Sequence, residues 1–307
     1  MTPIRIGTRG STLALAQSTW VKEQLLQHEP ALKIELVVIK TSGDRFVDKP
    51  IAALGGKGMF TKEIEDALLR EEIDLAVHSM KDLPPELPDG LIIAAMPKRE
   101  DPRDVLVSNQ GTSITGLPAG ARIGTGSLRR QAQLLNYRRD LLLMPIRGNV
   151  DTRLRKLDQG EVDALIMAAA GLKRIGRNDR IAAYLSEEIC VSAVAQGALG
   201  IESRDASSVR GLLTHLHDAD TAVEVNAERS FLERLGGGCH VPIGARAKIE
   251  GQQLKMIGVV ASPDGVALCR GEITGRLTDA TDLGRRLAEQ LLKDGADQLL
   301  ALTGSGG

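Results

Sequence analysis

Short apolar runs alternate with amphipathic stretches over the first two thirds of the chain. Residues 4–7, 34–39, 75–78, 91–95, 105–107, 122–125, 141–146 and 164–167 have the length and apolar character of strands. Between several of them, residues 13–26, 61–70, 128–137 and 150–159 follow helical patterns. Strand–helix–strand alternation predicts an α/β fold with mixed, mainly parallel sheets. The charged, proline-bounded segment 97–102 breaks the pattern and reads as an interdomain crossing. Residues 195–200 form a second candidate crossing. Two crossings would return the chain to its first domain and give two lobes around a cleft.

The last third has a different rhythm. Residues 221–235 predict a helix, with Thr221 and Glu224 at capping-box spacing and Val223, Ala227, Phe231 and Leu235 along one face. Three glycines end it. Residues 243–249, 254–261 and 266–273 then read as strands, separated by turn signals at Glu250-Gly251 and Ser262-Pro263-Asp264-Gly265. Residues 282–302 are a closing helical stretch. This is the pattern of a small α+β domain with an antiparallel sheet.

Composition narrows the function classes. The 307 residues are 42% hydrophobic and 26% charged, the balance of a globular protein. A net charge of −1 gives no bulk electrostatic case for nucleic acid or a membrane surface. Aromatic side chains are too few for base-stacking platforms. No window approaches ~18 apolar residues, and the start lacks the apolar stretch of a signal peptide. A cytoplasmic location is expected. Cys190, Cys239 and Cys269 are odd in number and far apart, which disfavours both a disulfide framework and a structural zinc site. Cys190 and Cys269 sit in apolar runs and read as core. His28, His78, His215 and His217 show no metal-ligand spacing, so no metal is expected.

Candidate chemistry collects at strand–turn–helix junctions. Residues 121–180 hold 13 Arg or Lys against 6 Asp or Glu. Gly124-Thr125-Gly126-Ser127-Leu128-Arg129-Arg130 ends a strand and starts a helix, with Ser127 as the expected N-cap. Two cations in a first helical turn oppose the helix dipole, unless an anion binds there and takes both the backbone N–H groups and the guanidinium groups. Arg147-Gly148-Asn149 with Arg153, and Thr8-Arg9-Gly10-Ser11, repeat the design; Arg174 would add a fourth instance. A solvated basic face is the plainer reading of any one of these arginines. Three together favour carboxylate or phosphate binding. Ser79-Met80-Lys81-Asp82 follows a strand and would place a carboxylate at the carboxyl end of a parallel sheet. Alone, Asp82 also fits a simple turn before Pro84 and Pro85. The irregular stretch 41–59 reads as a lid or binding loop, with Lys57 and Phe60 at its end.

Cys239 stands in Gly236-Gly237-Gly238-Cys239-His240-Val241-Pro242, just past a helix. It admits three readings: structural thiol, turnover nucleophile, or attachment point. A helix C-terminus disfavours the thiolate a nucleophile needs. A thiol used once against a strong electrophile needs no lowered pKa, which favours attachment.

These motifs, in this order, resemble the porphobilinogen deaminase (hydroxymethylbilane synthase) family. The likeness runs from Gly7-Thr8-Arg9 through Gly55-Gly56-Lys57-Gly58, His78-Ser79-Met80-Lys81-Asp82-Leu83-Pro84, Gly124 to Arg130 and Arg147 to Arg153, and ends in Glu228-Arg229-Ser230-Phe231, Leu235 and Gly237-Gly238-Cys239-His240-Val241-Pro242-Ile243-Gly244. It covers essentially the whole chain. The resemblance implies two periplasmic-binding-protein-like lobes, 1–97 with 197–217 and 102–192, and a third domain at 218–307. It implies a dipyrromethane cofactor joined to Cys239 by a thioether. It also implies stepwise addition of four porphobilinogen units with loss of ammonia, then hydrolytic release of hydroxymethylbilane. By its motif, Asp82 would balance charge on pyrrole nitrogens and on the azafulvene formed as ammonia leaves, assisted by Lys81 and Arg9. Ser79, Thr125, Ser127, Arg129 and Arg130 would hold the cofactor. Ser11, Lys57, Phe60, Arg147, Arg153 and Arg174 would hold substrate. The family further implies a monomer, with hand-over of product to the next pathway enzyme as a further partnership. Ala53 stands where relatives often have lysine. The rival class is a non-catalytic two-lobed binding protein for a small carboxylate or oxyanion, which would have no need of Cys239.

Overall fold

A computed structural model describes residues 3–45, 61–237 and 241–304. In chain order it opens with β1 (Ile4–Thr8), α1 (Thr12–His28), β2 (Ile34–Val38), α2 (Lys62–Leu69), β3 (Leu75–Ser79) and β4 (Leu91–Ala95). There follow β5 (Asp104–Val107), β6 (Arg122–Gly124), α3 (Leu128–Tyr137), β7 (Leu142–Met144), α4 (Val150–Asp158), β8 (Ala164–Ala168), α5 (Ala169–Arg174) and β9 (Ala183–Tyr184). The chain continues through β10 (Leu199–Arg204) and α6 (Ala219–Arg234) to β11 (Ile243–Glu250), β12 (Gln253–Ala261) and β13 (Leu268–Arg276). Two helices, α7 (Ala280–Leu291) and α8 (Asp297–Gly304), close it.

Two compact units result: residues 1–100 with 198–222, and residues 101–197 with 223–307. The first holds a five-stranded sheet of order β2-β1-β3-β10-β4. Its β1, β2 and β3 are parallel and β10 runs against both its neighbours, so four of five strands share one direction. Ile6, Leu75, Val77 and Ile201 pack under Val21 and Leu25 of α1. Ala76, Ile73 and Leu91 cluster with Ile64 and Leu68 of α2. Alternate strand residues thus serve two helical layers, as a doubly covered sheet requires.

The second unit repeats the plan in the order β7-β6-β8-β5-β9, where β5 alone runs against its neighbours. Leu106, Ile123 and Ile166 pack with Leu134 of α3, while Val105, Val107 and Leu165 pack with Leu154 and Leu157 of α4. The same unit carries the antiparallel sheet β11-β12-β13. Glycines let α7 lie close on it: a Cβ on Gly275 would meet Leu283 Cδ2 at 2.6 Å, and one on Gly271 would meet Leu291 Cδ2 at 3.0 Å. These are the expected α/β lobes and the expected antiparallel α+β portion. Among the described residues no helix is long and apolar enough to cross a membrane.

Four local expectations need correction. The helix expected from Thr221 starts at Ala219, and its cap is Asp218, whose Oδ1 accepts from the Thr221 N–H at 2.8 Å. Thr221 Oγ1 instead accepts from the Arg99 N–H at 2.9 Å. The closing helical stretch breaks at Gly295, whose φ is +98°. Cys269 is half-buried rather than core: it shares the helix-covered face of β13 with Gly271 and Gly275 but sits near the strand's start, where its Sγ donates to the Asp294 carbonyl at 3.4 Å. Leu199–Arg204, where the sequence suggests only the end of the 195–200 crossing and no strand, forms β10, with neighbours on both sides.

Candidate active site

In the first unit, two junctions at the carboxyl ends of adjacent parallel strands carry the candidate residues. After β1, buried Thr8 donates through Oγ1 to the Ala14 carbonyl at 3.1 Å, and Ser11 caps α1 by accepting from the Ala14 N–H at 3.3 Å. Arg9 lies between them, half-buried. After β3, one turn of tight helix spans Met80–Asp82. Met80 and Leu83 are buried and pin this turn into the lobe, while Asp82 between them is exposed. The Met80 N–H donates to the Ala198 carbonyl at 3.0 Å, and Ser79 Oγ accepts from Gln17 Nε2 at 3.0 Å. Asp82 is therefore an exposed carboxylate on a backbone held from both sides. Lys81 is half-buried beside it. Beneath the turn, buried His78 meets Glu202 of β10 at 2.9 Å.

In the second unit, Thr125 is buried, and its Oγ1 accepts from the Ser127 N–H at 3.3 Å. Ser127 occupies the N-cap position of α3 but makes no capping bond with its side chain, contrary to the role expected for it. Arg129 and Arg130 turn inward, only 5% and 6% exposed. Both meet Asp104: Arg129 Nη1 lies 2.7 Å from Oδ2, and Arg130 Nη2 lies 2.7 Å from Oδ1. Arg129 also donates to the Val191 carbonyl at 2.6 Å, and Arg130 to the Ile166 carbonyl at 3.1 Å. Burial works to raise the Asp104 carboxyl, but the field of the two guanidinium groups outweighs it and holds the carboxyl well below the usual carboxylate range. Cys190 borders the same group, and burial, reinforced by the Asp104 charge, pushes its thiol up to about 12.

At the second junction of this unit, Gly148 has φ of +105°, and Asn149 caps α4 by accepting from the Thr152 N–H at 2.9 Å. Arg153 Nε donates back to the Gly148 carbonyl at 2.8 Å and so braces the turn that carries Arg147. Arg174 does not stand at a helix start as expected. It is the last residue of α5 and donates to the Gly197 carbonyl at 2.7 Å. Cys239, Lys57, Phe60 and Ala53 lie outside the described residues.

The structure adds Asp104 and Gln196, which sequence reading did not single out, and gives Glu228 buried contacts that the sequence motif does not specify. Asp104 opens β5, just past the charged crossing segment, and nothing in its spacing points to Arg129 or Arg130. Their arrangement gives a test of fit for an acid-bearing ligand. Two buried guanidinium groups share one carboxylate, so the cluster holds excess positive charge. A bound carboxylate would relieve it, and the acid side chains of a dipyrromethane fit that need.

The lobes and these junctions define a two-lobed α/β protein with a small antiparallel sheet, and its arginines gather at strand–turn–helix junctions. Residues 4–210 match the family model "Porphobilinogen deaminase, dipyromethane cofactor binding domain", and residues 222–293 match "Porphobilinogen deaminase, C-terminal domain". The chain belongs to the porphobilinogen deaminase family. It is 53% identical to the porphobilinogen deaminase of Syntrophotalea carbinolica, over 97% of this chain and 95% of that relative. It is 51% identical to that of Geobacter sulfurreducens, over 97% and 94%. Among solved structures, the methionine binding protein MetQ aligns at a TM-score of 0.43 and 13% identity, over 74% of this chain and 94% of that one. The chain is thus a transferase of tetrapyrrole biosynthesis with a dipyrromethane cofactor domain, and the binding-protein rival falls away.

Proposed function

We propose that this protein condenses four porphobilinogen molecules head to tail on a dipyrromethane joined to Cys239, then releases hydroxymethylbilane by hydrolysis. The observation that supports this most is the pinned, exposed Asp82 within the region matched by the cofactor-domain model. When bound, the dipyrromethane supplies the terminal pyrrole from which the chain grows. Ser79, Lys81, Asp82, Thr125, Ser127, Arg129 and Arg130 would hold it. The excess charge of the Arg129–Arg130–Asp104 cluster would take an acid side chain.

Ammonia leaves each porphobilinogen as its aminomethyl carbon–nitrogen bond breaks, and Asp82 balances the positive charge left on the pyrrole. A carboxylate fixed in place before that charge develops needs no reorganisation, which is the main source of such stabilisation. Lys81 and Arg9 assist. Arg147, Arg153 and Arg174, with Arg9, Ser11, Lys57 and Phe60, position the incoming unit through its acetate and propionate groups. Bidentate guanidinium–carboxylate pairing suits this recognition. We further propose three domains, 1–97 with 197–217, 102–192 and 218–307, in a cytoplasmic monomer that passes its product to the next pathway enzyme.

Asp82→Asn tests the reading. The variant should fold and carry cofactor as the wild type does, while turnover falls by about 100-fold or more. Circular dichroism, intact mass and a product assay read the three quantities. Wild-type turnover in Asp82→Asn would remove Asp82 from the chemistry.

A further inference from the structure

Buried polar contacts connect the helix that leads to Cys239 with the arginine pair. Glu228 lies in the second half of α6, with none of its surface exposed. Its Oε2 accepts from the Ala195 N–H at 2.6 Å, and its Oε1 accepts from the Ala247 N–H at 2.8 Å. One carboxylate therefore joins α6 to β11 and to the segment that precedes β10. Ala195 has φ of +58°, a left-handed conformation disfavoured for any residue with a Cβ. Such a conformation persists only where its surroundings over-determine it, and here Glu228 holds that residue's own N–H. The next residue, Gln196, donates through Nε2 to the Pro102 carbonyl and to Asp104 Oδ1, both at 2.8 Å. Asp104 in turn holds Arg129 and Arg130.

We infer that Glu228 is a positioning residue for the cofactor: it fixes the helix preceding Cys239 in register with Arg129 and Arg130. The inference rests on the reading that the cofactor is tethered at Cys239 and held by those arginines. A ligand held covalently at one end and by ion pairs at the other is captured well only when the two points keep a fixed separation. Small displacements become lost effective concentration. A carboxylate suits this post because each oxygen takes one backbone N–H and its charge pairs with Arg246 of β11, whose Nη1 lies 3.6 Å from Oε1. Glutamine would satisfy one and set its NH2 group against the other.

The test uses full-length protein made in cells that supply porphobilinogen. In Glu228→Gln the fraction of chains carrying cofactor, read by intact mass, should fall by about tenfold, and the loaded fraction should show a raised KM for porphobilinogen. Leu291→Ala, a buried residue of α7 outside these contacts, is the stability control and should load normally at a comparable thermal midpoint. Gln196→Ala cuts the chain of contacts at its middle and leaves the buried carboxylate in place. It should lower loading in the same direction, so the answer does not depend on how well Glu228→Gln folds. Normal loading and KM in both variants, or an equal loss in Leu291→Ala, would overturn the inference. A wild type without cofactor mass would overturn the tether itself, and this inference with it, so the two failures are told apart.

Discussion

Asp104 and Asp82 show how burial assigns opposite work to one residue type. Asp82 is exposed on a rigid turn and free to meet a ligand. Asp104 is fully buried and committed to two guanidinium groups. Removing one partner from a buried ion pair leaves an unmatched charge, which costs about 3–5 kcal/mol. Asp104→Asn should therefore destabilise the second unit by roughly that amount in urea unfolding. Its pH dependence has a definite sign. The folded-state value lies below the unfolded one, so the stabilisation is fully present above the ordinary aspartate range. It is lost as the pH falls through that range toward the folded value. Acid unfolding followed by circular dichroism should be steeper there in the wild type than in Asp104→Asn. Parallel curves would contradict the assignment.

At the scale of elements, the cap of α6 carries a prediction. Asp218 accepts from the Thr221 N–H, and hydrogen bonding to Thr221 draws its carboxyl below the usual range. Asp218→Ala should cost about 1 kcal/mol, seen as a lowered thermal midpoint. An unchanged midpoint would mean that the helix start is fixed by packing alone. The sequence also offers Thr221 and Glu224 at capping-box spacing, and only the Arg99 contact shows why Thr221 is otherwise engaged. Most strands were legible because they are apolar runs with turn signals between them. β10 was not, since its centre carries Glu202 and Ser203, both buried. Inside the sheet, His78 meets Glu202 from the neighbouring strand. Hydropathy along one strand cannot register a partner 124 residues away.

For the whole molecule, the two lobe sheets and the antiparallel portion followed from the order of elements. The candidate residues at strand ends were legible for a related reason: parallel α/β lobes gather their functional side chains at the carboxyl ends of strands, in short turns with recognisable glycine, serine and arginine chemistry. The residues that hold those side chains in place were not legible. Asp104 lies 26 positions from Arg130, and Glu228 lies 33 from Ala195, with no periodicity linking either pair. Such contacts come into being only when the chain closes on itself.

The most direct measurement is the intact mass of the purified protein beside a Cys239→Ser variant, both from cells that make porphobilinogen. An added mass of two linked pyrrole units on the wild type, absent from the variant, is the expected result. A bare wild-type mass, or the same added mass on Cys239→Ser, would contradict a primer tethered at that cysteine.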